Sequence, residues 1–156
     1  MEASLAMDLW QRLQQQGLVE PGEELLNYGY GQAAKLRMSP GVNFGSPVYA
    51  DWRALLDASP WGDEQGYLYL TPRRITFLVP GAAWHGKAGT LRGYSTDLVP
   101  EPGYLSLRHR FPDDPHETHL WFRPTGEHAQ PQVRRLAMVL QDLADMWGFP
   151  RAEFLG

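Results

Sequence analysis

Gly66-Tyr-Leu-Tyr-Leu-Thr-Pro-Arg-Arg-Ile-Thr-Phe-Leu-Val79 is the stretch on which the fold turns. Folding it back at Thr71–Arg74, with Pro72 presetting the turn's backbone angle, puts Leu70 opposite Ile75 and Leu68 opposite Phe77 on one side. Tyr69 then meets Thr76 on the other. A single register thus yields one apolar and one mixed face, which is what a half-buried antiparallel hairpin needs.

The segments around it extend the pattern. Downstream, Tyr104–Phe111 and Thr118–Arg123 form a second hairpin across Pro112-Asp-Asp-Pro-His-Glu117. Pairing Phe111 with Thr118 sets Leu107 opposite Phe122 and His109 opposite Leu120 on the inner side. Arg110 with His119, Arg108 with Trp121 and Ser106 with Arg123 then face outward. Thr90–Val99, interrupted by Gly93 and closed by a Pro100-Glu-Pro-Gly103 turn, is predicted as a further strand. Upstream, Ser4 caps a helix to about Gln16 with Leu5, Leu9 and Leu13 on one stripe, and Gly17 stops it. After a Glu20–Glu23 turn, Leu25–Met38 reads as a long strand weakened by Gly29 and Gly31. Ser39–Gln65 is punctuated by Pro and Gly, with room for one short helix near Asp51–Ala58, and is too long for an ordinary connection. From Pro131, Val133, Leu136, Ala137, Leu140, Leu143, Ala144 and Trp147 follow the helical i, i+3, i+4, i+7 rule as far as Gly148. Such a stripe plugs a sheet.

With 156 residues and no Cys, the chain is long enough for one core without staples, and thiol chemistry is excluded. No apolar run approaches membrane-spanning length, and residues near Met1 lack a secretory layout, so a soluble cytoplasmic protein is expected. A net charge of −4 argues against nucleic acid. Of the basic residues only Lys35 and Lys87 are lysines, a bias that a GC-rich genome explains most simply; the functional alternative is that the arginines make bidentate anion contacts that lysine cannot.

The order of elements, the leader Leu18-Val-Glu-Pro-Gly-Glu-Glu-Leu-Leu26 and the hairpin Gly66–Phe77 together resemble the pleckstrin-homology-like superfamily, within it the GRAM-like and bacterial members. The resemblance spans roughly Leu18–Trp147. It implies an α+β fold: a PH-like antiparallel β-barrel capped by the C-terminal helix, here with an extra N-terminal helix and a long loop insertion. The organisation expected is a helix over 1–17 packed on the domain, a PH-like domain over 18–150 with the 39–65 insertion, and a tail over 151–156. Most such domains dock partners rather than catalyse. The insertion departs from lipid-binding members: Arg53 stands against Asp51, Asp57, Asp63 and Glu64, so an anionic membrane would repel it.

No nucleophile elbow, phosphate loop or zinc-protease motif occurs, and Gly29-Tyr-Gly31 lacks the rest of a dinucleotide fingerprint. His116 and His119 with Asp113 have the donor chemistry for a divalent metal in a hydrolase, but they sit at a polar hairpin tip where Pro and Asp are ordinary turn residues. Trp10, Trp52, Trp61 and Trp84 serve best as apolar anchors for the added helix and insertion. Arg73 and Arg74 read as a solvated or carbonyl-bonded turn pair. The candidate partner surface is Arg108, Arg110, Trp121 and Arg123 on the second hairpin, with Arg134 and Arg135 beside the last helix's N-terminus. The expectation is a non-catalytic module, with no cofactor or metal, docking a protein or acidic peptide at a sheet edge or beside the last helix. Self-association is compatible with this, anionic lipid is the second reading, and a metal hydrolase the third.

Overall fold

The computed structural model describes residues 2–39, 52–62, 64–98 and 103–151. The elements run α1 (Glu2–Gln15), β1 (Asn27–Met38), α2 (Trp52–Ala58), β2 (Gln65–Leu70), β3 (Arg74–Val79), β4 (Ala82–Lys87), β5 (Leu91–Asp97), β6 (Tyr104–His109), β7 (Glu117–Pro124) and α3 (Ala129–Trp147). Seven strands form one antiparallel sheet in the order β4-β3-β2-β1-β7-β6-β5. The expected class, α+β with an antiparallel sheet capped by a C-terminal helix, is the one observed. The sheet curls but stays open: β4 and β5 are its outer strands, with no ladder between them among the described residues.

The β2–β3 hairpin has the register read from the sequence, with Leu70 on Ile75, Tyr69 on Thr76 and Leu68 on Phe77. Its apolar face meets α3, whose Val133, Leu136, Leu140 and Leu143 are buried with Leu68, Phe77, Leu107 and Phe122 in the main core. The helix begins at Ala129 rather than Pro131 and ends at Gly148, whose left-handed backbone (φ 77°, ψ 29°) turns the chain while its N–H bonds the Ala144 carbonyl.

The outer face of the sheet is covered as well. Ala6, Trp10 and Leu13 of α1 pack with Val19 on Tyr67 and Tyr69, and the Tyr69 hydroxyl donates to the Ala6 carbonyl at 2.7 Å. Leu55 and Leu56 of α2 pack on Ala34 and Trp121, while the Lys35 N–H donates to Ser59 Oγ at 3.0 Å. Most of the tryptophans are indeed anchors: Trp10 lies 5.0 Å from Tyr69, Trp61 6.0 Å from Phe77, and Trp52 Nε1 donates to Gln32 Oε1.

Three expectations need correction, and one strand is additional to those expected. The second hairpin pairs Leu107 with Leu120 and Arg108 with His119, a slip of two residues that preserves the faces but not the partners. Its long tip does not pin register as a tight turn does. Ala82–Lys87, with weak apolar alternation, is a strand, held as an edge by β3. Ser4 lies inside α1, which starts at Glu2. Arg74 is buried and bound to Glu23, whereas Arg73 meets Glu20 near the surface. The expected strand starting at Thr90 begins at Leu91, with the irregularity at Gly93 as anticipated. Insertion residues 40–51 and 63, residues 99–102 of the expected strand end and turn, and tail residues 152–156 lie outside the described residues.

Candidate functional site

The six candidate partner-binding residues separate into two groups. Trp121 is fully buried beneath α2 and cannot serve as the exposed indole expected of it. Its cross-strand neighbour is Ser106, not Arg108. Arg108 instead places its guanidinium on both carboxylate oxygens of Glu117, at 3.1 and 2.9 Å. The same carboxylate meets the buried ring of His119 at 3.2 Å. Burial by itself would raise the Glu117 pKa, but Arg108 and His119 outweigh it and hold the carboxyl below its ordinary value. Burial pushes the His119 pKa downward, against the pull of Glu117. This is an internal polar network. It tethers Arg108.

Arg123 lies with its guanidinium 5.8 Å from the Trp52 ring, helping to hold α2. Arg110 is exposed at the hairpin tip and donates from Nε to the Asp114 carbonyl at 3.3 Å. The tip is also tied by Arg37, which bonds Asp114 at 2.9 Å and, with the His116 N–H, draws that carboxyl down to about 2. His116 stays partly exposed beside Asp114, whereas His119 is buried against Trp121. Among the described residues no three His, Asp or Glu side chains gather to hold a metal ion. Nor is any described helix long and apolar enough to cross a membrane.

Arg134 and Arg135 differ from this group. Both are exposed on the first turns of α3, and among the described residues neither makes an ion pair. The start of α3 has no side-chain cap from His128 and no acidic residue in its first turn. Arg135 lines a cleft of about 250 Å³ with Ala6 of α1, Tyr28, Tyr30, Thr125, Gln132 and the turn residues Gly126, Glu127 and His128, so one carboxylate shares the cleft with the guanidinium. Three local choices build it. Tyr28 and Tyr30 alternate onto the α1 side of β1. The Thr125 N–H bonds the Tyr30 carbonyl, bringing the β7–α3 connection alongside. Gln132 and Arg135 share one helical face three residues apart. The tyrosines escaped the reading from sequence, although their two-residue spacing on a strand was the signal available.

No protein-family description matches the chain, and no curated protein does. Among solved structures it is similar to the Vps36 N-terminal PH domain, at 16% identity over 79% of this chain and 86% of that one, with a TM-score of 0.41. It is also similar to the hSac2 domain from human phosphoinositide phosphatase Sac2, at 13% identity over 100% of this chain and 94% of that one, with a TM-score of 0.49. Neither likeness transfers a residue role.

Proposed function

We propose that this protein is a non-catalytic docking module that takes an acidic peptide segment in the cleft between α1, β1 and α3. The observation that carries the reading is Arg135, exposed and without an ion-pair partner among the described residues, lining the cleft with two tyrosines at a helix start that has no side-chain cap, with the equally exposed Arg134 next to it in the chain. Arg37, Arg53, Arg73, Arg74 and Arg108 are all engaged with carboxylates of the chain itself. A carboxylate arriving at the α3 start meets the guanidinium of Arg135 and the positive end of the helix dipole. The flat phenol faces of Tyr28 and Tyr30 suit an apolar or aromatic neighbour in the same peptide.

The test is titration of a labelled Glu-Glu-Tyr-Glu-Glu peptide into wild-type protein and the Arg134→Glu/Arg135→Glu variant. Both arginines are exposed, so the variant keeps its melting temperature and binds at least about tenfold more weakly, as expected for two reversed charge-assisted contacts. Equal affinity in the two proteins removes the cleft. Co-sedimentation with anionic vesicles in place of peptide binding replaces this reading with the membrane one.

A further inference from the structure

The cleft holds charges of both signs. Glu127, in the turn before α3, and Arg135, in the second turn of the helix, both line it and both are exposed. Among the described residues neither makes an ion pair, with the other or with any third group. The helical rise keeps them apart: Ala129, where α3 starts, and Arg135 are about 9 Å apart along the axis. Glu127 stands two residues before that start. Strand β1 sets a tyrosine beside each charge. The Thr125 N–H bonds the Tyr30 carbonyl, which places Tyr30 at the Glu127 end. Gly29 faces the side chain of Leu136, the neighbour of Arg135, which places Tyr28 toward the Arg135 end.

We infer that the segment docked in this cleft is dipolar: an acidic residue on Arg135 and, two or three residues away, a lysine or arginine between Glu127 and the Tyr30 ring. This rests on the cleft being the docking site and adds what selects its partner. An extended peptide advances about 3.3 Å per residue, so residues two or three apart match the spacing of the two charges. At the Glu127 end an incoming cation meets the carboxylate and the Tyr30 ring, which packs 5.0 Å from Tyr67 and so presents a fixed face. Gln132 lies between the two charges, and its amide can both donate to and accept from a peptide backbone. The Thr125 hydroxyl is committed to Gln65 Oε1 at 3.0 Å and takes no part. A wholly acidic segment satisfies Arg135 but brings a second carboxylate against Glu127, on a chain whose net charge is already −4. Glu127 thus discriminates by repulsion as well as by attraction.

The test titrates three labelled, end-blocked peptides: Gly-Glu-Tyr-Lys-Gly, its reverse Gly-Lys-Tyr-Glu-Gly, and Glu-Glu-Tyr-Glu-Glu. The salt is about 0.1 M, where exposed charges more than about 10 Å apart are largely screened. One of the mixed orders binds wild type at least about threefold more tightly than the acidic peptide. Glu127→Lys reverses that preference, weakening the mixed peptide and strengthening the acidic one by at least about threefold each, and Glu127→Gln abolishes it. Asp145→Lys makes the same change of charge at an exposed position toward the other end of α3 and leaves the preference as in wild type. A preference that ignores both Glu127 variants, or that Asp145→Lys shifts equally, overturns the inference. So does an acidic peptide that binds wild type as tightly as both mixed ones. Arg134→Glu/Arg135→Glu separates docking from selectivity. If it weakens the acidic peptide while the Glu127 variants change nothing, the cleft stands and its dipolar selectivity falls. If it weakens none of the three, or wild type binds none, both fall.

Discussion

Arg74 holds Glu23 through three hydrogen bonds across 51 positions of sequence: Nε to both carboxylate oxygens at 3.1 and 3.0 Å, and Nη2 to Oε1 at 2.9 Å. Thr71 Oγ1 donates to the other side of the carboxylate at 2.7 Å, and Arg74 Nη1 reaches the Leu18 carbonyl. The leader that follows α1 is thereby fixed to the tip of the β2–β3 hairpin. Burial works to raise the Glu23 pKa, but the bonds from Arg74 and Thr71 prevail and lower it. Glu23→Ala leaves a buried guanidinium unpaired and should cost about 3–5 kcal/mol in urea unfolding. Replacing both partners, as Glu23→Leu with Arg74→Met, should cost clearly less than the single change.

His109 makes the fold sensitive to mild acid. Its ring lies between Trp84 and Phe111, both nitrogens are buried without hydrogen-bond partners, and burial pushes its pKa down to about 4. Between about pH 6.5 and 4 the unfolded chain takes up this proton and the folded chain does not. Stability therefore falls as pH drops through that window, by up to about 1.4 kcal/mol per pH unit. His85 and His119, also lowered mainly by burial, add to the same slope. Denaturant melts of His109→Leu should match or exceed wild type at pH 7 and surpass it at pH 5, with a flatter pH dependence.

Helix α2 belongs to the core although it lies in the loop insertion. Leu55 and Leu56 are 1% and 2% exposed against Ala34 and Trp121. Leu55→Ala or Leu56→Ala should each cost about 2–5 kcal/mol, and Trp121→Ala about 3–5 kcal/mol, measured as shifts in the unfolding midpoint. A midpoint unchanged by the leucine substitutions would mean that α2 does not cover the sheet.

Gly31 marks the closest approach of β1 to β7. A Cβ built there would overlap the Arg123 carbonyl oxygen and stand 2.7 Å from Pro124 Cα, both backbone atoms that cannot move alone. At Gly29 the nearest obstacle is the end of the Leu136 side chain, also at 2.7 Å, which can rotate. Gly31→Ala should therefore lower the melting temperature more than Gly29→Ala, despite the identical change in chemistry.

The parts legible from sequence are those whose partners are near in the chain. The β2–β3 register follows from alternation about a tight proline turn, and the buried stripe of α3 follows from helical spacing. Half of the candidate cleft was legible in the same way, because Arg134 and Arg135 sit at a helix start that local spacing locates. Tyr28 and Tyr30 join them only because β1 runs beneath α1 and alongside the β7–α3 connection.

Local alternation by itself determined that Trp121 and Arg108 share one face of a β-ribbon and that Leu107 and Leu120 share the other. It could not determine which face meets water, since that depends on what a distant segment lays over it. Trp121 became core when α2, from the other side of β1, came down on it. Arg108 became an internal ligand of Glu117 when the hairpin's long tip settled two residues from the simplest register. Periodicity assigns a side chain to a face; only the assembled layers decide whether that face is inside.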